Sequence, residues 1–114
     1  MSADRRRQVV GRILRLRKAE LDQRQAELIH AREAVASACS AFDLLCSEAE
    51  ATAAAVGQDP NLLILLSDET LVKGAELDRQ RVVAERDLAD AEASLVNTRG
   101  EVRRLERYLE KTPR

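Results

Sequence analysis

The stretch Gly57-Gln58-Asp59-Pro60-Asn61 decides the fold, because it interrupts a sequence that otherwise favours helix. A glycine can end a helix in the left-handed conformation, and a proline prevents the same helix from simply continuing. We therefore predict a tight turn at residues 57–61, between a first helix of about 4–56 and a second helix of about 62–111.

The sequence leaves two starts open for the second helix. In the first, Asp59 caps the helix and Pro60 takes its first position. In the second, Ser67 is the cap, and Asp68 and Glu69 complement the helix dipole. Residues 60–66 are accordingly either helical or an exposed loop.

Apolar or small residues recur at every seventh position on both sides of the turn. Before it, the repeat consists of Leu14, Leu21, Leu28, Val35, Phe42, Ala49 and Val56. After it, the repeat begins at the polar Arg81 and continues through Leu88, Leu95, Val102 and Leu109. A second set of seam positions accompanies the repeat in each helix: Val10, Arg17, Arg24, Ala31, Ala38, Leu45 and Thr52 in the first, and Leu77, Ala84, Ala91, Thr98 and Leu105 in the second. A seven-residue repeat forms one seam along a helix, and two such helices joined by a turn can cover each other. We expect an all-α fold, a single domain of two long helices forming an antiparallel coiled-coil hairpin.

The seam is not uniform along the chain. Arg17 and Arg24 fall on it and interrupt it with charge. We expect it to be strongest over residues 28–45 and 88–109. Folding at the turn also places certain residues at the same level of the hairpin: Leu14 with Leu105, and Ala31 and Ala38 with Ala84 and Ala91.

The composition excludes an ordinary layered globule. Of the 114 residues, 34% are charged and only 2% are aromatic, so bulky core residues are few. No stretch of about 20 apolar residues predicts a membrane span, and the N-terminus lacks the apolar segment of a signal peptide. We expect a cytoplasmic protein without direct membrane insertion, in which Cys39 and Cys46 stay reduced as small core or seam residues.

Charge is distributed unevenly along the chain. Residues 1–18 carry seven basic groups against Asp4 alone, a net charge of +6, and residues 99–114 carry six basic and three acidic groups, a net charge of +3. Residues 19–98 hold six basic and sixteen acidic groups, a net charge of −10. An antiparallel hairpin brings the basic chain ends together, so we expect a basic open end and an acidic middle.

The sequence offers no candidate for catalysis. His30 is the only histidine, and no cysteine or second histidine lies one helical turn away to complete a metal site. The four glycines are isolated, which argues against a phosphate-binding loop. We predict that the protein is not an enzyme, has no catalytic, metal or cofactor-binding residues, and takes no cofactor or small-molecule substrate.

The basic open end is the first candidate binding surface. Its members are cationic residues from both chain ends: Arg5, Arg6, Arg7, Arg12, Arg15, Arg17, Lys18, Arg103, Arg104 and Arg107. Three interpretations stay open: a solvated terminus, a segment that enters an acidic protein cavity, and a surface for nucleic acid or membrane. No aromatic residues lie between the bases of the first helix to stack on nucleotides, which disfavours nucleic acid.

The apolar run after the turn, here named the tip patch, is the second candidate surface. It consists of Leu62, Leu63, Ile64, Leu65 and Leu66. Consecutive apolar residues on a helix cannot all face one partner helix, so some are exposed unless something covers them. The tip patch either contacts a partner protein, folds locally as a cap on the hairpin, or pairs with a second copy as a homodimer.

Two charged segments that contain leucine give the chain a resemblance to a known family. They are Arg12-Ile13-Leu14-Arg15-Leu16-Arg17-Lys18 and Val102-Arg103-Arg104-Leu105-Glu106-Arg107. In a small protein of two long helices with a short tip, they resemble the central-stalk proteins of type III secretion systems, the FliJ/YscO type. The chain is shorter than better-known members and has Phe42 alone where they carry several aromatic residues, so the resemblance assigns regions and no individual family positions.

The resemblance implies a role in protein transport. Residues 14–18 and 102–107 would enter the central pore of the hexameric export ATPase, and the tip would reach the export gate or export chaperones. The stalk would couple these partners by mechanical and electrostatic contact, in the cytoplasm beside a membrane-embedded secretion complex. The alternative is a self-associating helical-hairpin scaffold or secretion chaperone.

Overall fold

A computed structural model describes residues 2–57 and 59–112, and this part of the chain is all-α. Helix α1 spans Ala3–Val56 and helix α2 spans Pro60–Lys111. The helices pack as an antiparallel hairpin, so the predicted fold class is confirmed. Both helices begin slightly earlier than the sequence indicated, where the expected starts were residues 4 and 62.

The turn follows the first of the two predicted arrangements. Gly57 ends α1 with a φ of 72°, in the left-handed region that glycine adopts without strain. The Asp59 carboxylate accepts the backbone N–H of Asn61 at 3.0 Å, and its carbonyl accepts the N–H of Leu63 at 3.0 Å. Asp59 is therefore the cap and Pro60 the first helical residue. The predicted turn was too long, because Pro60 and Asn61 belong to α2; its residue Gln58 lies outside the described residues.

The chain divides into two compact units, each containing a segment of both helices. The terminal unit consists of Met1–His30 with Ala89–Arg114, and the central unit consists of Ala31–Leu88.

The terminal unit contains most of the buried side chains that the structure describes: Leu14, Leu28, Leu95, Thr98 and Val102. All of them lie on the predicted seams. The Thr98 hydroxyl donates to the Ser94 carbonyl at 2.9 Å, so this buried polar group has a partner within its own helix. The core of this unit is thus a narrow line of aliphatic side chains.

The central unit has a shallower core. Among its described residues only Ala84 is buried, while Phe42 and Leu45 are half-buried. Leu45 packs against Gly74, where an added Cβ would lie 3.9 Å from the leucine methyl group. The expectation of a strong seam over residues 28–45 is therefore wrong beyond Leu28, because small opposing residues leave the larger side chains partly uncovered.

Neither helix, over the residues described, contains a segment long and apolar enough to cross a lipid bilayer.

Candidate protein-binding surfaces

Arg7 ties the two chain ends together in the terminal unit. Its Nη1 donates to the carbonyl oxygens of Leu109 and Thr112 at 2.8 and 2.9 Å. The last carbonyls of a helix lack partners within the helix, and a cation there also complements the helix dipole. Arg7, which the sequence placed in the basic open end, thus fixes the start of α1 against the end of α2.

Arg17 joins the two helices through an ion pair. Its Nη1 lies 2.7 Å from Glu20 on its own helix, and its Nε lies 3.0 Å from Glu101 on α2. Arg24, one heptad later, extends the network to Glu20 and Glu27 at 3.5 and 2.9 Å. The arginines that interrupt the apolar seam are therefore paired with carboxylates at its edge.

The network shifts the ionisation of its members toward the charged forms. The hydrogen bond from Arg17, and the charges of Arg17 and Arg24, lower the pKa of Glu20 against a smaller opposing effect of partial burial. The hydrogen bond to Glu20, followed by the charge of Glu101, raises the pKa of Arg17. The pairing therefore favours the ionised form of Glu20 and weakens when this carboxylate is protonated in acid.

The other cationic residues predicted for the basic open end are exposed: Arg5, Arg6, Arg12, Arg15, Lys18, Arg103, Arg104 and Arg107. Within residues 2–57 and 59–112 none of these side chains forms an ion pair. Arg104 makes one long contact, 3.4 Å from its Nε to the Gly100 carbonyl of its own helix. These eight side chains leave positive charge facing solvent on the terminal unit.

An apolar stripe lies beside these charges. Val9, Ile13 and Leu16 follow at spacings of four and three residues, which places them on one face of α1, and all are exposed. Leu16 is 71% exposed, an unusual state for a large aliphatic side chain. The spacing of these three residues is visible in the sequence, but the stripe lies outside the heptad seam and was not predicted.

A groove runs between this stripe and α2. It has a volume of about 310 Å³ and is lined by Ile13, Arg17, Glu101, Arg104 and Leu105. Tyr108, one turn after Arg104, is also exposed. The terminal unit therefore presents a concave apolar surface with bases around it.

The tip patch is only partly covered. Leu62, Ile64 and Leu65 are exposed, while Leu63 and Leu66 are half-buried and face α1. Helical geometry accounts for this division, since five successive residues sweep around the whole helix. Three aliphatic side chains are thus available to a partner at the start of α2.

No family model, curated protein or solved structure matches this chain. The resemblance to the type III secretion stalk proteins therefore stays a prediction from the sequence.

The described residues hold no group of three or more histidine, cysteine, aspartate or glutamate side chains placed to bind a metal ion. His30 is exposed. Cys39 is half-buried and Cys46 is exposed, so the expectation of core or seam positions is wrong for Cys46, which lies on the flank of the seam.

Proposed function

We propose that this chain is a non-enzymatic coiled-coil stalk of a type III secretion apparatus, which binds the export ATPase through its paired basic termini and couples it to the export gate. The contact of Arg7 with the carbonyls of Leu109 and Thr112 is the main support. It holds the beginning of α1 and the end of α2 together, so that the exposed bases of both ends act as one cationic surface. Such a surface suits a pore lined by acidic groups.

Binding by this surface would be electrostatic in origin. Exposed charges steer the encounter of two proteins and increase the association rate, with less effect on the lifetime of the complex. The exposed leucines of the tip patch would provide the second contact, at the export gate or an export chaperone. Apolar contacts of this kind contribute affinity by removing surface from water.

The test adds the purified chain to its cognate export ATPase and measures ATP hydrolysis, hexamer formation and complex formation. We expect a complex to form and to change both the rate of ATP hydrolysis and the extent of hexamer formation. If all three remain as they are for the ATPase alone, the proposed function is refuted.

A charge-reversal pair locates the contact. Arg12→Glu with Arg15→Glu should abolish the ATPase complex and leave the helix content unchanged, because both side chains are exposed and form no ion pair with another described residue. Arg17 is left intact, since its pairing with Glu101 would confuse binding with folding. The matched control is Lys73→Glu with Arg86→Glu, which makes the same charge change on exposed residues of the central unit and should preserve binding.

A further inference from the structure

The stripe and groove of the terminal unit form a basic face. Arg6 lies seven residues before Ile13, and Lys111 lies seven after the groove residue Arg104, so both extend the same side of their helices. Residues 5–18 of α1 contain no acidic residue, and their seven bases lie around the helix, with Arg6 on the side of Ile13. The only carboxylate lining the groove is Glu101, which is paired with Arg17. We call this surface the basic face.

The central unit has a groove of the opposite charge. It has a volume of about 450 Å³, and its lining includes Ala49, Glu50, Ala53 and Leu71. Ile64, seven residues before Leu71, extends the apolar stripe, and both side chains are exposed, at 60% and 70%.

Acidic side chains lie in and beside this second groove. Asp43 lies seven residues before Glu50, and Asp68 lies between Ile64 and Leu71 on the same side of α2. The nearby Glu48 and Glu69 line another groove of the central unit together with Lys73, so they do not belong to this surface. We call this surface the acidic face.

We propose that the basic face of one copy of this chain binds the acidic face of a second copy. Each face is an apolar groove between two helices, a shape that accepts a helix of another hairpin as in a four-helix bundle. Their charges are complementary, whereas pairing two basic or two acidic faces would bring like charges together. The binding partner of each face is therefore the oppositely charged face of a second copy.

The contact joins different surfaces of two identical chains. Where two copies exchange both faces, the result is a closed isologous dimer. Where they do not, the contact is heterologous and extends to longer assemblies. This inference does not depend on the proposed function. It does have a consequence for it, since self-association would cover Arg104 and compete with the ATPase for the same end of the hairpin.

The first test measures the mass of the full chain by sedimentation velocity over a range of concentrations up to about 1 mM, which includes weak interfaces. We expect the mass to rise above the monomer value of 12.7 kDa with concentration. It should return to that value in about 1 M salt, where the screening length falls to about 3 Å. A chain that stays monomeric throughout at low salt overturns the proposal.

The second test uses two charge-reversal variants. The first, Arg6→Glu with Arg104→Glu, should leave only acidic faces, and the second, Glu50→Lys with Asp68→Lys, only basic ones. Each variant alone should be monomeric under conditions in which the unmodified chain associates. Mixed together they should associate again, because the intact basic face of the second fits the intact acidic face of the first.

A matched control separates a specific face from net charge. Lys18→Glu with Arg103→Glu changes the charge of the terminal unit by the same amount, on exposed residues at the other side of the seam. This control should associate as the unmodified chain does. If both reversal variants also associate unchanged, the contact does not use these two charged faces and the proposed pairing is wrong.

Discussion

At the scale of single residues, burial along α2 differs between leucines that share one stripe. Leu95 is 5% exposed, whereas Leu88, one heptad earlier, is half-buried. Removal of a fully buried leucine side chain destabilises a packed core by about 2–5 kcal/mol, and a partly covered one by less. We expect Leu95→Ala to lower the unfolding midpoint more than Leu88→Ala.

Circular dichroism melts of the two variants test this ranking. Val96→Ala is the control, since Val96 is 65% exposed and its truncation should leave the midpoint nearly unchanged. Equal shifts for Leu88 and Leu95 would show that the seam is uniformly packed.

The ion-pair network gives a prediction for pH. Because Arg17 lowers the pKa of Glu20 in the folded chain, the pairing stabilises the fold above the ordinary pKa of a glutamate. This stabilisation is lost as the pH falls through the lowered pKa. Glu20→Gln should therefore melt below the unmodified chain at pH 7 and together with it near pH 2.

Melting curves at both pH values measure the difference. Glu106→Gln is the control, because Glu106 is exposed and forms no ion pair within the described residues. A deficit for Glu20→Gln that persists in acid would mean that its carboxylate acts through packing and not through its charge.

The sequence predicted the residue pattern of the seam well, and its polar contacts less well. The predicted seam positions of α1 are all at least half-buried except Thr52, which is exposed and donates its hydroxyl to the Glu48 carbonyl. The partner of Arg17 followed in principle from the predicted levels, since Glu101 lies one turn from Leu105. The role of Arg7 could not be predicted in this way, because it depends on the positions of the carbonyl groups in the last turn of α2.

At the scale of the helices, the left-handed conformation of Gly57 sets the end of α1. An alanine at Gly57 would meet no neighbouring atom, so its whole effect comes from the backbone at a φ of 72°. We expect Gly57→Ala to destabilise the hairpin by about 1–2 kcal/mol. Gly57→Asn should recover part of the loss, because asparagine tolerates this conformation better.

Gly11 is the matched control, since it lies inside α1 and a Cβ there also meets nothing within 4 Å. Gly11→Ala should stabilise the chain by about 0.5–1 kcal/mol, because alanine loses less conformational freedom in a helix. Denaturant titration compares the two variants. If both substitutions changed the free energy of unfolding in the same direction, the assignment of Gly57 to the turn would be wrong.

The helix boundaries show how far local signals can be read. Two capping residues competed for the start of α2, and the sequence could not rank Asp59 against Ser67. In the structure, Ser67 donates its hydroxyl to the Leu63 carbonyl at 2.8 Å, a bond that serine makes inside a helix. The earlier start prevails because Pro60 is already restricted to a helical φ.

At the scale of the whole molecule, the heptad pattern did not predict how the buried residues are divided between the two units. Heptad spacing identifies which residues face the partner helix, but their burial depends on the size of the residues opposite. Leu45 illustrates this, because it meets Gly74 and stays half-buried despite its seam position. The sequence predicted the charge of the candidate surfaces and the position of the tip patch. It did not predict the grooves beside the seam, because their shape depends on how the two helices pack.

This uneven core predicts uneven local stability. Backbone amides open more readily where few apolar contacts hold a helix. In the terminal unit, residues 95–102 include three buried side chains, whereas residues 35–49 of the central unit include none. Hydrogen exchange followed by mass spectrometry should therefore show slower exchange at 95–102 than at 35–49. Leu95→Ala should accelerate exchange mainly in the terminal unit. If the exchange rates of both segments are equal and rise together in this variant, the hairpin unfolds as one cooperative body and its two units have no separate stability.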